Sequence, residues 1–150
     1  MLKVRSGLPF LALFLFFSFS IQAASWETDL DSAFIKSKEH QKYILLNFSG
    51  SDWCIPCKKL KTELFSNPKF IEYGNENLVL VNLDFPLKKN NKLDKEYQNK
   101  LDAWAEKYNP NGIFPLTLLI DPEGKIIYKW TGYIHDTVDV FINYFKSLKT

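Results

Sequence analysis

Apolar positions along the chain change their period several times, and each change marks an element. Asp29 to His40 places Leu30, Ala33 and Phe34 on one face at helical spacing. The run that follows, "KYILLNFS" from Lys42 to Ser49, is apolar enough to be a strand buried on both sides. From Cys54 to Phe65 the residues Cys57, Leu60, Leu64 and Phe65 return to a helical period. "NPKFIEYG" then supplies an N-capping asparagine, a proline for a first helical position and Gly74 as a stop, so one helix bent near Ser66 to Pro68 is predicted. Leu78 to Phe85 reads as a second core strand.

The segment from Lys88 to Gly112 opens as a charged loop and becomes an amphipathic helix through Tyr97, Leu101, Trp104, Ala105 and Tyr108, closed by Asn-Pro-Asn-Gly. Phe114 to Asp121, the turn "PEGK" and Ile126 to Trp130 predict a β-hairpin. A terminal amphipathic helix with Val138, Phe141, Ile142 and Phe145 inward is predicted over Asp136 to Lys149. Two parallel strands joined by a crossover helix, then a hairpin, make an α/β domain: a mixed four-stranded sheet flanked by helices on both faces.

The N-terminal stretch differs in character. Lys3 and Arg5 precede the apolar run Leu8 to Ile21, and small residues follow it. This order predicts a secretory signal peptide over residues 1–24 and a globular domain over 25–150, with an uncleaved anchor in the inner membrane as the alternative. The run is short for a membrane span, which needs about 20 residues. Without Lys3 and Arg5 the 19 basic residues fall to 17, equal to the 17 acidic ones. The domain is formally neutral, so no nucleic-acid partner or polybasic membrane surface is implied.

Both cysteines lie in "SGSDWCIPCKKLK", as Cys54 and Cys57. If the helix begins there, Cys54 stands at its exposed start and Cys57 about one turn on along the same face, within disulfide reach. Unpaired N–H groups of the first turn favour a thiolate on Cys54, the attacking nucleophile. Cys57, more deeply placed, resolves the mixed disulfide. Pro56 costs no helical hydrogen bond in a first turn, and Trp53 offers a flat apolar wall. A structural staple across so short a loop removes little chain entropy. A zinc site would have to draw on His40 and His135, far apart and outside the usual spacing.

Trp53-Cys54-Ile55-Pro56-Cys57-Lys58 resembles the W-C-x-P-C-K site of the thioredoxin superfamily, and "GIFPLT" around Pro115 resembles the segment bearing that family's cis-proline. Gly132 matches a glycine after the last strand. The resemblance runs from about Ser25 onward and is strongest toward small exported thioredoxin-like proteins. It implies a thioredoxin-like fold and a docking ledge for extended peptides at Phe114 and Pro115, beside Trp53, Ile55 and Pro56. It also implies a redox-active disulfide in place of any separate cofactor.

The departure is Asn47, which stands where thioredoxins carry a buried acid; an amide cannot accept a proton at neutral pH. Asp52, and less directly Glu63, are the carboxylates to which proton transfer could pass. The resulting expectation is a monomeric, periplasmic thiol:disulfide oxidoreductase, most simply a reductase. It would act on exported proteins bearing disulfides or thiols and exchange electrons with a membrane-bound thiol partner. A disulfide oxidase or isomerase, a thiol-trapping module and a metal-delivery protein remain alternatives.

Overall fold

The computed structural model describes residues 24–148; the expected signal segment, with the apolar run Leu8 to Ile21, lies outside them. Five strands form one sheet: β1 (Trp26–Glu27), β2 (Tyr43–Ser49), β3 (Leu78–Asp84), β4 (Leu116–Ile120) and β5 (Ile126–Thr131), in the spatial order β1-β3-β2-β4-β5. β3 pairs in parallel with both β1 and β2, whereas β4 is antiparallel to β2 and β5 is antiparallel to β4. The expected four strands are therefore corrected to five. β1 is only two residues long, too short to show any alternation, and it exists because Trp26 and Glu27 pair with Leu80 and Val81 at the open edge of β3.

The period of two along β2 decides which layer each residue joins. Ile44, Leu46 and Phe48 face α1 (Leu30–His40) and α4 (Lys95–Tyr108), packing with Leu30, Leu101 and Trp104. Leu45 faces the opposite layer with Leu80 and Leu119, against α2 (Ile55–Leu60), α3 (Pro68–Asn77) and α5 (Val138–Ser147). Asn47 and Ser49 share the Leu45 side by the same alternation, so the α2 side of the sheet turns polar toward the C-terminal ends of β2 and β3.

Caps define the helices. Asp29, Asn67, Asp94 and Thr137 each accept a backbone N–H of the first turn of α1, α3, α4 and α5 respectively. α2 continues into a π-helical turn, Lys61–Phe65, in which the Ser66 N–H reaches the Lys61 carbonyl at 2.8 Å. The predicted bend is thus a widened turn followed by a new cap at Asn67. The predicted stop at Gly74 is corrected: α3 runs on to Asn77, and Gly74 is there because a Cβ would stand 3.1 Å from a Leu80 methyl. It is a packing glycine, not a terminator.

Among the described residues no helix is long and apolar enough to cross a membrane. The layer under α3 and α5 is aromatic. Phe141 is 1% exposed and packs its ring against Phe65, Phe70, Trp130 and Phe145. Phe141→Ala is expected to cost about 3–5 kcal/mol in urea unfolding by opening a cavity there. Ile35→Ala, at a side chain 68% exposed, is expected to stay within about 0.5 kcal/mol of the parent.

Candidate active site

β2 delivers the chain to the start of α2 through a tight turn, Gly50 to Trp53. The Cys54 N–H donates to the Gly50 carbonyl at 2.9 Å, and Trp53 folds its indole back over Gly50. A Cβ on residue 50 would lie 2.3 Å from the indole, so only glycine admits this arrangement. The Trp53 ring N–H donates to the Phe85 carbonyl at 2.7 Å, and its edge meets Phe114 at a centroid distance of 5.2 Å. Phe114 also packs edge-on against Phe85. Trp53 is thereby fixed between the ends of β3 and the segment before β4.

Cys54 is the N-cap of α2 and is disulfide-bonded to Cys57, with their Cα atoms 5.3 Å apart. Its sulfur accepts the Cys57 N–H at 3.2 Å, in the place where a serine or aspartate oxygen would cap an ordinary helix. Pro56 lies in the first turn, where its missing N–H leaves no bond unmade. The expectation that Cys54 is exposed and Cys57 deeper is corrected: they are 3% and 5% exposed. The Cys54 side chain turns back over the helix start to reach Cys57. The flanking side chains carry the exposure instead, Trp53 at 40% and Ile55 at 76%.

The Phe114–Pro115 peptide bond is cis, and Pro115 is buried. Its carbonyl accepts the N–H of Gly132, which holds a left-handed φ of 81°. The loop leading to it is pinned by Asn109, whose side chain accepts the Ile113 N–H and donates to the Ile113 carbonyl, both at 2.9 Å. Neither Gly50 nor Asn109 stood out in the sequence as a site-forming residue. The small residue at the end of β2 and the closing "NPNG" were the available signals.

Asp52 stands away from a proton-transfer role. Its carboxylate accepts the N–H groups of Leu87 and Lys88, each at 3.0 Å, and the Asn91 side-chain amide at 2.9 Å. The Leu87 N–H foremost, with Asn91 and Lys88 adding to it, holds the Asp52 carboxyl below its ordinary range. An anion stabilised in this way is a weaker base. Glu63 is also engaged elsewhere, accepting the Tyr133 hydroxyl proton and lying 4.0 Å from the Lys59 ammonium.

Asn47 is 4% exposed and bridges the three central strands: its amide N–H donates to Asn82 at 2.8 Å, and its carbonyl accepts the Thr117 hydroxyl at 3.0 Å. Among the described residues no group of three or more His, Cys, Asp or Glu is placed to hold a metal ion.

A family model described as a thioredoxin-like domain matches residues 30–148. The disulfide bond reductase DsbH of Chlamydia pneumoniae is 35% identical over 100 residues, covering 67% of this chain and 58% of the relative. The thioredoxin-related protein DsbJ of the same organism is 32% identical over 112 residues, covering 75% of this chain and 31% of the relative. The chain thus spans less than two thirds of one curated relative and about a third of the other. A solved structure of DsbH oxidoreductase superposes with a TM-score of 0.75 at 29% identity, covering 95% of this chain and 93% of that one.

The Asp52 contacts carry a pH dependence. A carboxyl whose folded pKa is depressed stabilises its contacts fully above its unfolded value, about 3.9, and loses them as pH falls through the lower folded value. Protection factors at the Leu87 and Lys88 amides, taken against the intrinsic exchange rate at each pH, are expected to be high at neutral pH and to fall in acid as Asp52 protonates. Asp52→Ala is expected to give that low protection at all pH values, with the far-UV circular dichroism unchanged.

Proposed function

The chain belongs to the thioredoxin-like domain family, and from that premise we propose that it is an exported thiol:disulfide oxidoreductase working in the reducing direction. The observation that carries this reading is the position of Cys54 as helix cap, its sulfur receiving the Cys57 N–H. In the dithiol state that bond becomes a charge-assisted one to a thiolate.

The reaction balances as two exchanges. The Cys54 thiolate attacks a substrate disulfide, forming a Cys54–substrate bond and expelling one substrate thiolate. Cys57, once deprotonated, attacks the Cys54 sulfur, closes the Cys54–Cys57 disulfide and expels the second substrate thiolate. Two electrons pass from the protein to the substrate. A membrane-bound thiol donor restores the dithiol. The likeness to a relative named a disulfide bond reductase supports this direction over an oxidising one.

Trp53, Ile55, Pro56, Phe114 and Pro115 form the docking rim in this reading. Trp53 and Ile55 present exposed apolar surface on either side of the cysteine, and the cis bond turns the Phe114 backbone at the ledge. A periplasmic location follows from the basic-apolar-small order at the N-terminus, and a monomer suffices for the exchange.

Reduction of insulin by the dithiol protein tests the assignment. The protein is expected to precipitate insulin chains with a thiol donor present, and Cys54→Ser to abolish this. Cys57→Ser is expected to stop turnover and to accumulate a mixed disulfide with the substrate, visible by mass spectrometry under non-reducing conditions. Failure to reduce insulin combined with oxidation of a reduced peptide would reverse the direction, and absence of both would remove the activity.

A further inference from the structure

We propose that Asp84, at the end of β3, is the acid that takes the proton from Cys57 when Cys57 attacks the mixed disulfide. The proposal rests on the thiol:disulfide exchange reading above and names a group that exchange requires. The Cys57 thiol, at a position 5% exposed, must lose its proton before it can attack; Asn47 is no base, and Asp52 is not among the residues lining the cleft that Cys57 lines.

A cleft of about 710 Å³ opens between the polar half of the sheet and the α2 side, with Cys57 and Asp84 both in its wall. Asn47, Ser49 and Asn82 line it as well, all on the face that alternation turns toward α2. Asp84 is the only acid among the described residues lining it. The cleft is roomy enough for water, and Asn47, Ser49 and Asn82 along its sheet wall supply that water with polar partners between the two groups.

The Asp84 carboxylate, like that of Asp52, is held by three donors; it differs in lying on the wall of the cleft that holds Cys57. Ser51 donates its N–H to Oδ1 at 2.7 Å and its hydroxyl to Oδ2, and Ser49 donates its hydroxyl to Oδ1 at 3.3 Å. Oδ1 thus accepts twice and Oδ2 once, which leaves one lone pair on Oδ2 for a further donor. The charged groups facing it are Lys58 and Lys61, which line the same cleft from the α2 side. From α4 the field of Asp84 reaches Tyr97, whose phenol is raised chiefly by burial and further by Asp29, Asp84 and Asp94.

In the step itself the Cys57 S–H bond breaks and its proton passes through water to Asp84. The Cys57 thiolate then forms the S–S bond to Cys54. The departing substrate thiolate takes that proton from Asp84, or takes one from solvent while Asp84 gives its own up to solvent; either way Asp84 returns to the carboxylate.

The test separates this from a structural role in holding Ser51. In the Cys54→Ser protein, where Cys57 is the single thiol, the Cys57 β-carbon is followed by NMR against pH. A carboxylate close enough to take the Cys57 proton disfavours a second negative charge beside it, so Asp84→Asn in that background is expected to lower the Cys57 midpoint. Ser51→Ala, which removes a hydroxyl but keeps the carboxylate, is expected to leave that midpoint where it is.

In the protein with both cysteines, Asp84→Asn is expected to slow release from a preformed Cys54–peptide disulfide by at least about tenfold near neutral pH. The difference should shrink above the ordinary thiol pKa, about 8.5. A single, identical Cys57 titration with and without Asp84 overturns the proposal. So does a slowing that is constant across pH. If no mixed disulfide forms at all, the exchange reading falls, and the Cys57 titration decides the Asp84 assignment by itself.

Discussion

One hydrogen bond organises the site: the N–H of Cys57 directed at the sulfur of Cys54 across the first turn of α2. A helix start leaves several N–H groups without intrahelical partners, and here a sulfur takes the position that an oxygen takes at the other caps. The same geometry that ends the loop therefore also selects which sulfur is stabilised as an anion. Pro56 fits this turn, because its missing N–H would have had no intrahelical partner and its ring fixes the backbone. The surrounding aromatic contacts, Trp53 on Gly50 and against Phe114, keep the loop from relaxing away from that cap.

The sheet contributes through its asymmetry. On the α1 and α4 side β2 is apolar along its length, whereas on the other side Leu45 gives way to Asn47 and Ser49. Register pairs those residues with Asn82 and Asp84 of β3, so a polar strip forms at the end of the sheet that α2 covers. Burying polar groups there is costly unless they bond to each other, and Asn47 does so in both directions. The apolar remainder of the sheet supplies the stability that lets this end stay polar.

Much of this was legible in the sequence, for identifiable reasons. The continuous apolar run of β2, the helical spacing after Cys54 and the amphipathic stretch to Tyr108 each carry their own period, and those elements were placed within a residue or two. The cis-proline segment and the cysteine pair were readable because their residue types are rare and closely spaced. What escaped depends on contacts between distant positions. β1 is defined by its pairing with Leu80, and Gly74 by the Leu80 methyl. The carboxylate of Asp52 is defined by amides 35 and 36 positions away, and that of Asp84 by Ser49 and Ser51 across the strands. Local pattern has no access to such pairings. The burial of Cys54 escaped for a related reason: position at a helix start fixes the backbone, and the disulfide then fixes where the sulfur points.

The most direct test of the central interaction is the pKa of Cys54 in the reduced protein, read from the pH dependence of its alkylation. The helix-cap account predicts a midpoint well below that of a free cysteine, about 8.5, with Cys54 modified ahead of Cys57 at neutral pH. A midpoint at or above the free value, or preferential modification of Cys57, would contradict it.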